Sequence, residues 1–535
     1  MCIELLIIIE KNIKQEVSQN INNKKRVAKN TLFLYMRMLL QLFVSLLTAR
    51  VMLEALGVED YGLNNVIAGI VTFFTFLNNS LTSASSRYLT FELGRGDLSS
   101  LRIVFRNSFS IHLILAVIVV ILGEFVGIYM INHILHIPEN RLLACHVAYQ
   151  FVIIGAFISL IQTPFSAIVI SYEKMGLYAY LGIFDVVSKL VICYIVKWIC
   201  FDKLICLSVL QGVSTFAVFV IYYGYCKRKF SAVCCIKLKL EKQLTKSMLK
   251  FTTWSLIGSV ANILKNQGVN VLINIFFGAA VNAANAIAYR INAAIMGFTA
   301  NFTTALNPQI TKNYSVKKYG EMEQLIIMGG KYSFFLLMLL GFPIMFEIDF
   351  ILKLWLGENN VPDYTSIMTV LVIILSMIET FTYTIGCAVQ ATGNIKNYQM
   401  VISGMTLMNF PITYLFYKLG FPPYTALAVS IGISSITLLT RMYFLKTLLH
   451  MKPIVYITKV FLHTFPIAIL SAIVPILICW NIKDGVMRFF IIVIVSTIMN
   501  ISCIWFMGMN AKERIFVKDI VNSRLNKIRN AKLTK

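Results

Sequence analysis

The run LILAVIVVILGEFV at residues 113–126 is apolar over nearly its whole length, with a single Glu near its end. Extended to residues 107–132, it is long enough to cross a hydrocarbon core of roughly 30 Å as one helix. A helix also satisfies its own backbone hydrogen bonds, which lipid cannot do. A barrel strand would instead alternate apolar and polar residues. Neither this run nor IIVIVSTI at 491–498 alternates, so a β-barrel is excluded. Similar runs recur through all 535 residues, of which 58 % are hydrophobic and 13 % charged. The mean hydropathy is +0.76, whereas soluble domains carry about a quarter charged residues.

Read this way, the chain is an all-α integral membrane protein with fourteen expected spans. They run 30–53, 62–86, 107–132, 142–170, 177–200, 204–226, 251–277, 284–310, 326–352, 364–391, 399–417, 424–445, 455–480 and 486–510. The formal net charge of +24 does not imply nucleic acid, because no basic soluble domain is left over. It reports topology instead. Most of the 48 Lys and Arg fall in the two termini and in every second loop, whereas the intervening loops hold only Arg141, Lys203, Lys353, Lys418 and Lys483. By the positive-inside rule both termini are expected to be cytoplasmic. Leu5–Ile9 is too short for a signal-peptide core and is flanked by Glu4 and Glu10, so the first 29 residues read as a retained tail.

The heaviest basic clusters are Lys227–Lys250 and the segment after Ala511, with eight Lys and Arg each. Attraction to anionic membrane lipids accounts for such clusters without a specific partner. They mark seams in the domain plan: a cytoplasmic tail (1–29), an N-lobe of six spans (30–226), a basic linker (227–250), a C-lobe of six spans (251–445), an appended pair (446–510) and a basic tail (511–535). Sliding the first half by 221 residues places Leu56-Gly57 on Phe277-Gly278 and superposes the spans without a gap. Six is even, so the lobes would share one orientation, related by a pseudo-twofold along the membrane normal, with a cavity between them.

Polar residues mark the walls of such a cavity. Span one carries Arg37, Gln41 and Thr48 on one face, and span two Thr75, Asn79 and Thr82. Span seven carries Ser255, Ser259, Asn262, Asn266 and Asn270, and span eight Asn285, Tyr289, Asn292, Thr299, Thr303 and Asn307. Full charges are sharper markers, because a charge at a lipid-facing helix centre costs at least about 2.5–3.5 kcal/mol. Arg37 and Lys265 are the leading candidates for holding an anionic substrate, with Arg290 third because it lies off its stripe. Asp185 and Lys189, four residues apart, can neutralise each other. Glu379 stands as an isolated mid-span acid, a candidate for coupling or for packing. No phosphate loop or dinucleotide fingerprint is present, and no cofactor is implied. His133, His136 and Glu139 have metal-like spacing but read as a solvated loop. The eleven cysteines form no disulfide framework, Cys200 and Cys206 being the one pair close enough in sequence to consider.

The opening helices, RVAKNTLFLYMRMLLQLFVSLLTARVMLEALGVEDYGLNNVIAG (26–69) and SLTSASSRYLTFELGRGD (80–97), with QTPFSAIVISYEKMG (162–176) and AVQATGNIKNYQ (388–399), carry a resemblance. The sequence resembles the polysaccharide-biosynthesis flippases of the multidrug, oligosaccharidyl-lipid and polysaccharide exporter superfamily, which include the O-antigen flippases. That resemblance implies two six-helix lobes, alternating access, and a cationic cavity accepting a lipid-diphosphate-linked oligosaccharide on Arg37 and Lys265. Membrane lipids, and a polysaccharide polymerase or glycosyltransferases, are the further partners it implies. The same superfamily contains cation-coupled drug antiporters, which typically carry an acid in the first helix; here span one has none before Glu54. A glycan polymerase or ligase is a third reading, disfavoured by the short outer loops.

Overall fold

The computed structural model describes residues 30–511, apart from 46, 49, 53, 58–59, 62, 65–66, 68–74, 135–136, 199–201, 235, 237 and 359–360, together with 513–515 and 518. The N-terminal tail, most of the C-terminal tail, part of span two, His136 and Cys200 therefore lie outside the described residues. The helices are α1 (Asn30–Gly57), α2 (Thr75–Arg95), α3 (Leu98–Tyr129), α4 (Leu142–Ser171), α5 (Met175–Trp198) and α6 (Lys203–Lys229). One long element, Lys242–Ser315, is broken at Gly278 into α7 and α8. There follow α9 (Tyr319–Phe346), the short α10 (Ile348–Leu356), α11 (Thr365–Thr392), α12 (Lys396–Lys418), α13 (Thr425–Leu449), α14 (Pro453–Asn481) and α15 (Val486–Gly508).

Among the described residues, eleven helices are long and apolar enough to cross a membrane, against the fourteen spans expected. Of the three remaining expectations, span two (62–86) lies in good part outside the described residues, and spans seven and eight fall on the helices α7 and α8, whose sequence carries dense Asn, Ser and Thr stripes.

The repeat expected from the sequence reappears in the backbone. Gly57 and Gly278, 221 residues apart, both have left-handed φ (79° and 82°), as do Gly96 and Lys317, also 221 apart (76° and 60°). The starts of α3 and α9, the ends of α4 and α11, and the starts of α5 and α12 are each separated by the same 221 residues. A chain path that turns at matched positions points to one unit used twice. The charges do not repeat: Arg37 falls on Gly258, Glu379 on Ile158 and Lys265 on Val44. The 221-residue register therefore holds for the chain path and not for the charges.

The chain divides into two compact units, the first of Met1–Ala261, Asn301–Met322 and Cys387–Ser403, the second of Asn262–Ala300, Glu323–Gly386 and Gly404–Lys535. In the first, Phe165 sits fully buried among Phe105, Phe109, Phe219 and Tyr223, ring centroids 5.4–6.1 Å away. Edge-to-face packing of this kind adds about 0.5–1.5 kcal/mol per pair beyond area burial. Asp97 starts α3 by accepting hydrogen bonds from Ser99 and Ser100, which hold its carboxyl below the usual carboxylate range. In the second unit, the C-terminal pair α14–α15 is fastened to α9 and α11. Tyr456 donates to the Phe381 carbonyl at 2.7 Å, Asn500 to the Met338 carbonyl at 3.3 Å, and Arg488 to Glu347 at 2.8 and 3.3 Å. Midway along α9, Lys331 binds both carboxylate oxygens of Glu513.

Topology itself has a direct check. Single cysteines introduced into a cysteine-free version should label from outside at Lys483 and only after permeabilisation at Lys229. Outside labelling at Lys229 would invert the orientation read from the basic residues.

Candidate functional site

In the first unit, α1 presents Arg37 and Gln41 to α5. Gly182 on α5 makes room for them: a Cβ there would meet the Arg37 Cδ at 2.7 Å. Gln41 Nε2 donates to the Gly182 carbonyl at 3.3 Å, and the Arg37 guanidinium lies over the Tyr178 ring, 4.5 Å from its centroid. Arg37 Nη2 donates to Asn301 Oδ1 at 3.4 Å. Its Nε is buried with no hydrogen-bond partner among the described residues, and no described acid forms a salt bridge with it. Buried Tyr222 on α6 lies within electrostatic reach of Arg37, Tyr178 and Asp185. Asp185 is itself occupied, since Lys189 donates to it at 2.8 Å.

In the second unit, Lys265 on α7 donates to Glu379 on α11 at 3.3 Å. The Lys265 side chain is 9 % exposed and that of Glu379 33 %. Glu379 is thus not the isolated acid expected from the sequence. Its counter-charge comes from another helix, 114 residues away, where no i,i+4 rule could find it. Tyr289 and Tyr383 lie within reach of the Glu379 charge, and Arg441 within reach of Tyr383.

The polar stripe of α8 is buried rather than open: Asn285, Asn292, Thr299 and Thr303 are each at most 8 % exposed. Asn285 donates to Asn270 at 2.7 Å, yet the side-chain oxygens of Asn285, Asn292 and Asn307 have no hydrogen-bond partner among the described residues. Each orphaned acceptor costs about 1–3 kcal/mol unless water or a ligand satisfies it. Asn262, Asn266 and Arg290 are exposed, and Arg290 meets no charged group among the described residues. The structure therefore brings Arg37 to Gln41, Asp185 to Lys189 and Lys265 to Glu379. Among the described residues it shows no contact that joins Asn266 or Arg290 to these pairs. Tyr178, Tyr222, Tyr383 and Asn301 were missed in the sequence, where a Tyr inside an apolar run looks like packing.

The sequence motifs that carried the resemblance meet in the first unit. Ser83 donates to Gln390 Oε1 at 3.1 Å, and Arg87 donates to the Ala391 carbonyl through Nη2 at 2.9 Å and Nε at 3.3 Å. Gly393 has φ +77°, and a Cβ there would meet Arg87 Nη2 at 2.7 Å. Glu173, buried and left-handed at φ 57°, accepts from Lys312 Nζ at 2.9 Å and Gln309 Nε2 at 3.1 Å. Gly393→Ala should destabilise the protein by about 1–2 kcal/mol from the left-handed backbone alone, read as a lower melting temperature in detergent. An unchanged melting temperature would show that this turn relaxes freely.

No family model matches the chain, and no curated protein matches its sequence. Solved structures do match. The outward-facing conformation of a multidrug resistance MATE family transporter of the MOP superfamily aligns with TM-score 0.69 at 14 % identity, over 80 % of this chain and 96 % of that one. The fold is that of the MATE transporters. A MATE in complex with MaD3S aligns with TM-score 0.66 at 15 % identity, over 80 % and 97 % of the two chains. A MOP superfamily transporter from Pyrococcus furiosus, described as having a reverse polarity of its binding pocket that suggests a different function, aligns with TM-score 0.66 at 14 % identity, over 80 % and 96 %. The MATE fold and the many apolar helices make the chain a multi-pass membrane protein. At such identities the likeness carries the fold and not the substrate.

Proposed function

We propose that this chain is a MATE-fold transporter that moves a lipid-diphosphate-linked oligosaccharide from the inner to the outer leaflet by alternating access. One observation carries the choice of an anionic substrate. Arg37 stands inside an apolar helix with a buried, unsatisfied Nε and no described acidic partner, while the near-central acids Asp185 and Glu379 each already hold a lysine. A partly desolvated guanidinium is costly unless an anion or water meets it, and its planar fork suits phosphate oxygens. Tyr178 and Asn301 hold it in place. Lys265 is already charge-balanced by Glu379 within its own unit, so its role is secondary to that of Arg37.

The second reading, a cation-coupled drug or metabolite antiporter, is favoured by the solved neighbours, which include a multidrug resistance MATE family transporter, and by the Lys265–Glu379 pair. Protonating or metallating Glu379 would free Lys265, linking cation binding to a change of helix contacts. In proteoliposomes this reading requires drug efflux driven by a proton or sodium gradient and abolished by Glu379→Gln. The first reading requires gradient-independent binding of the purified protein to a polyprenyl diphosphate glycan, weakened by Arg37→Gln. Efflux without diphosphate-lipid binding would overturn the first reading.

A further inference from the structure

The basic linker between α6 and α7 is not a loose tether. Phe230 stacks on Tyr172 with ring centroids 4.3 Å apart, and Val233 and Cys234 are buried in the core of the first unit. Arg102 Nε donates to the Ala232 carbonyl at 2.6 Å, and the Lys239 amide donates to Ser110 Oγ at 3.3 Å. Asn107 Oδ1 accepts from the Glu241 amide at 3.0 Å and from Thr245 Oγ1 at 2.8 Å. These two hooks, Asn107 and Ser110, lie on α3, which begins at Leu98. At 1.5 Å per residue they stand about 14–18 Å along that helix. The sequence places the entry of α3 into the hydrocarbon at the same level, so the linker is fixed along the membrane surface rather than in the aqueous phase.

At that level Ile236, Leu238 and Leu240 alternate along the chain and are 46 %, 67 % and 47 % exposed. Exposed Lys227, Arg228, Lys229, Lys239, Lys242 and Lys246 surround them in sequence. Three solvent-facing aliphatic side chains among cations are unfavourable in water and favourable at an anionic bilayer surface, where the apolar groups enter the acyl boundary and the ammonium groups meet phosphates. We propose that Ile236, Leu238 and Leu240 form an interfacial anchor that inserts into the inner leaflet, while Lys239, Lys242 and Lys246 bind anionic phospholipid headgroups. The backbone hooks on Asn107 and Ser110 keep the anchor at a set depth, so lipid binding would act on the junction between α6 and α7.

The test uses the full-length protein in lipid nanodiscs with and without phosphatidylglycerol. An environment-sensitive fluorescent amino acid at Leu238 should show blue-shifted emission, quenched by acyl-chain quenchers, when the anionic lipid is present. In native mass spectrometry, phosphatidylglycerol should be retained over phosphatidylcholine. Each Lys→Gln change at the three lysines should lower that preference by about fivefold, and Lys→Arg should preserve it. Water-like emission at position 238 in anionic discs, or equal phosphatidylglycerol retention by the wild type and the triple Gln variant, would overturn the proposal.

Discussion

Arg37→Gln should abolish glycan export while leaving the protein at close to normal abundance in the membrane. The substitution keeps a polar side chain of similar reach for Asn301 and removes the charge and the donor fork. A hydrogen bond to a charged group contributes about 1.5–3 kcal/mol, so affinity for the diphosphate lipid should fall by about ten- to a hundredfold. Arg37→Lys should recover part of this, because a point charge replaces the bidentate fork but cannot stack on Tyr178 in the same way. A purely structural Arg37 makes a different forecast. Losing the Tyr178 and Asn301 contacts would then reduce abundance, and whatever folded would export normally. Normal export at normal abundance would remove Arg37 from the substrate site altogether.

Glu347→Ala should be among the most destabilising single changes in the second unit. The Glu347 side chain is fully buried against Arg488, itself only 10 % exposed. Removing one partner of a buried pair leaves an uncompensated charge, at a cost of about 3–5 kcal/mol. Asp484 also reaches Arg488, but its side chain is 62 % exposed and replaces little of the lost field. The double change Glu347→Leu with Arg488→Met should recover most of the loss, since well-packed apolar residues often serve as well as a buried pair. Thermal unfolding of the purified chain in detergent distinguishes the two. If the single variant melts like the wild type, or the double melts lower than the single, the pair does not hold α15 to α9 in the manner described.

What the sequence determined by itself was set by local rules. Continuous apolar runs such as 113–126 admit only a helix in lipid, so the all-helical membrane class was legible before any coordinates. The 221-residue register was legible for the same reason: span lengths and turn glycines are local features, and Gly57 and Gly278 share a left-handed backbone. The Asp185–Lys189 pair was readable because residues four apart on a helix face each other. The span count was less secure where helices carry polar stripes, since α7 and α8 dilute the hydropathy that marks a span.

Tertiary structure decided which charges are free, because ion pairs between helices depend on how the helices pack and leave no trace in sequence spacing. Lys265 and Glu379 looked like two lone charges and are one pair across α7 and α11, whereas Arg37 remains without a described acid. Burial of the α8 stripe was likewise hidden: the sequence shows which residues share a face but not what covers it. The tyrosines beside Arg37 and Glu379 were invisible for a related reason, since an aromatic in an apolar helix becomes part of a polar site only when its neighbours are known.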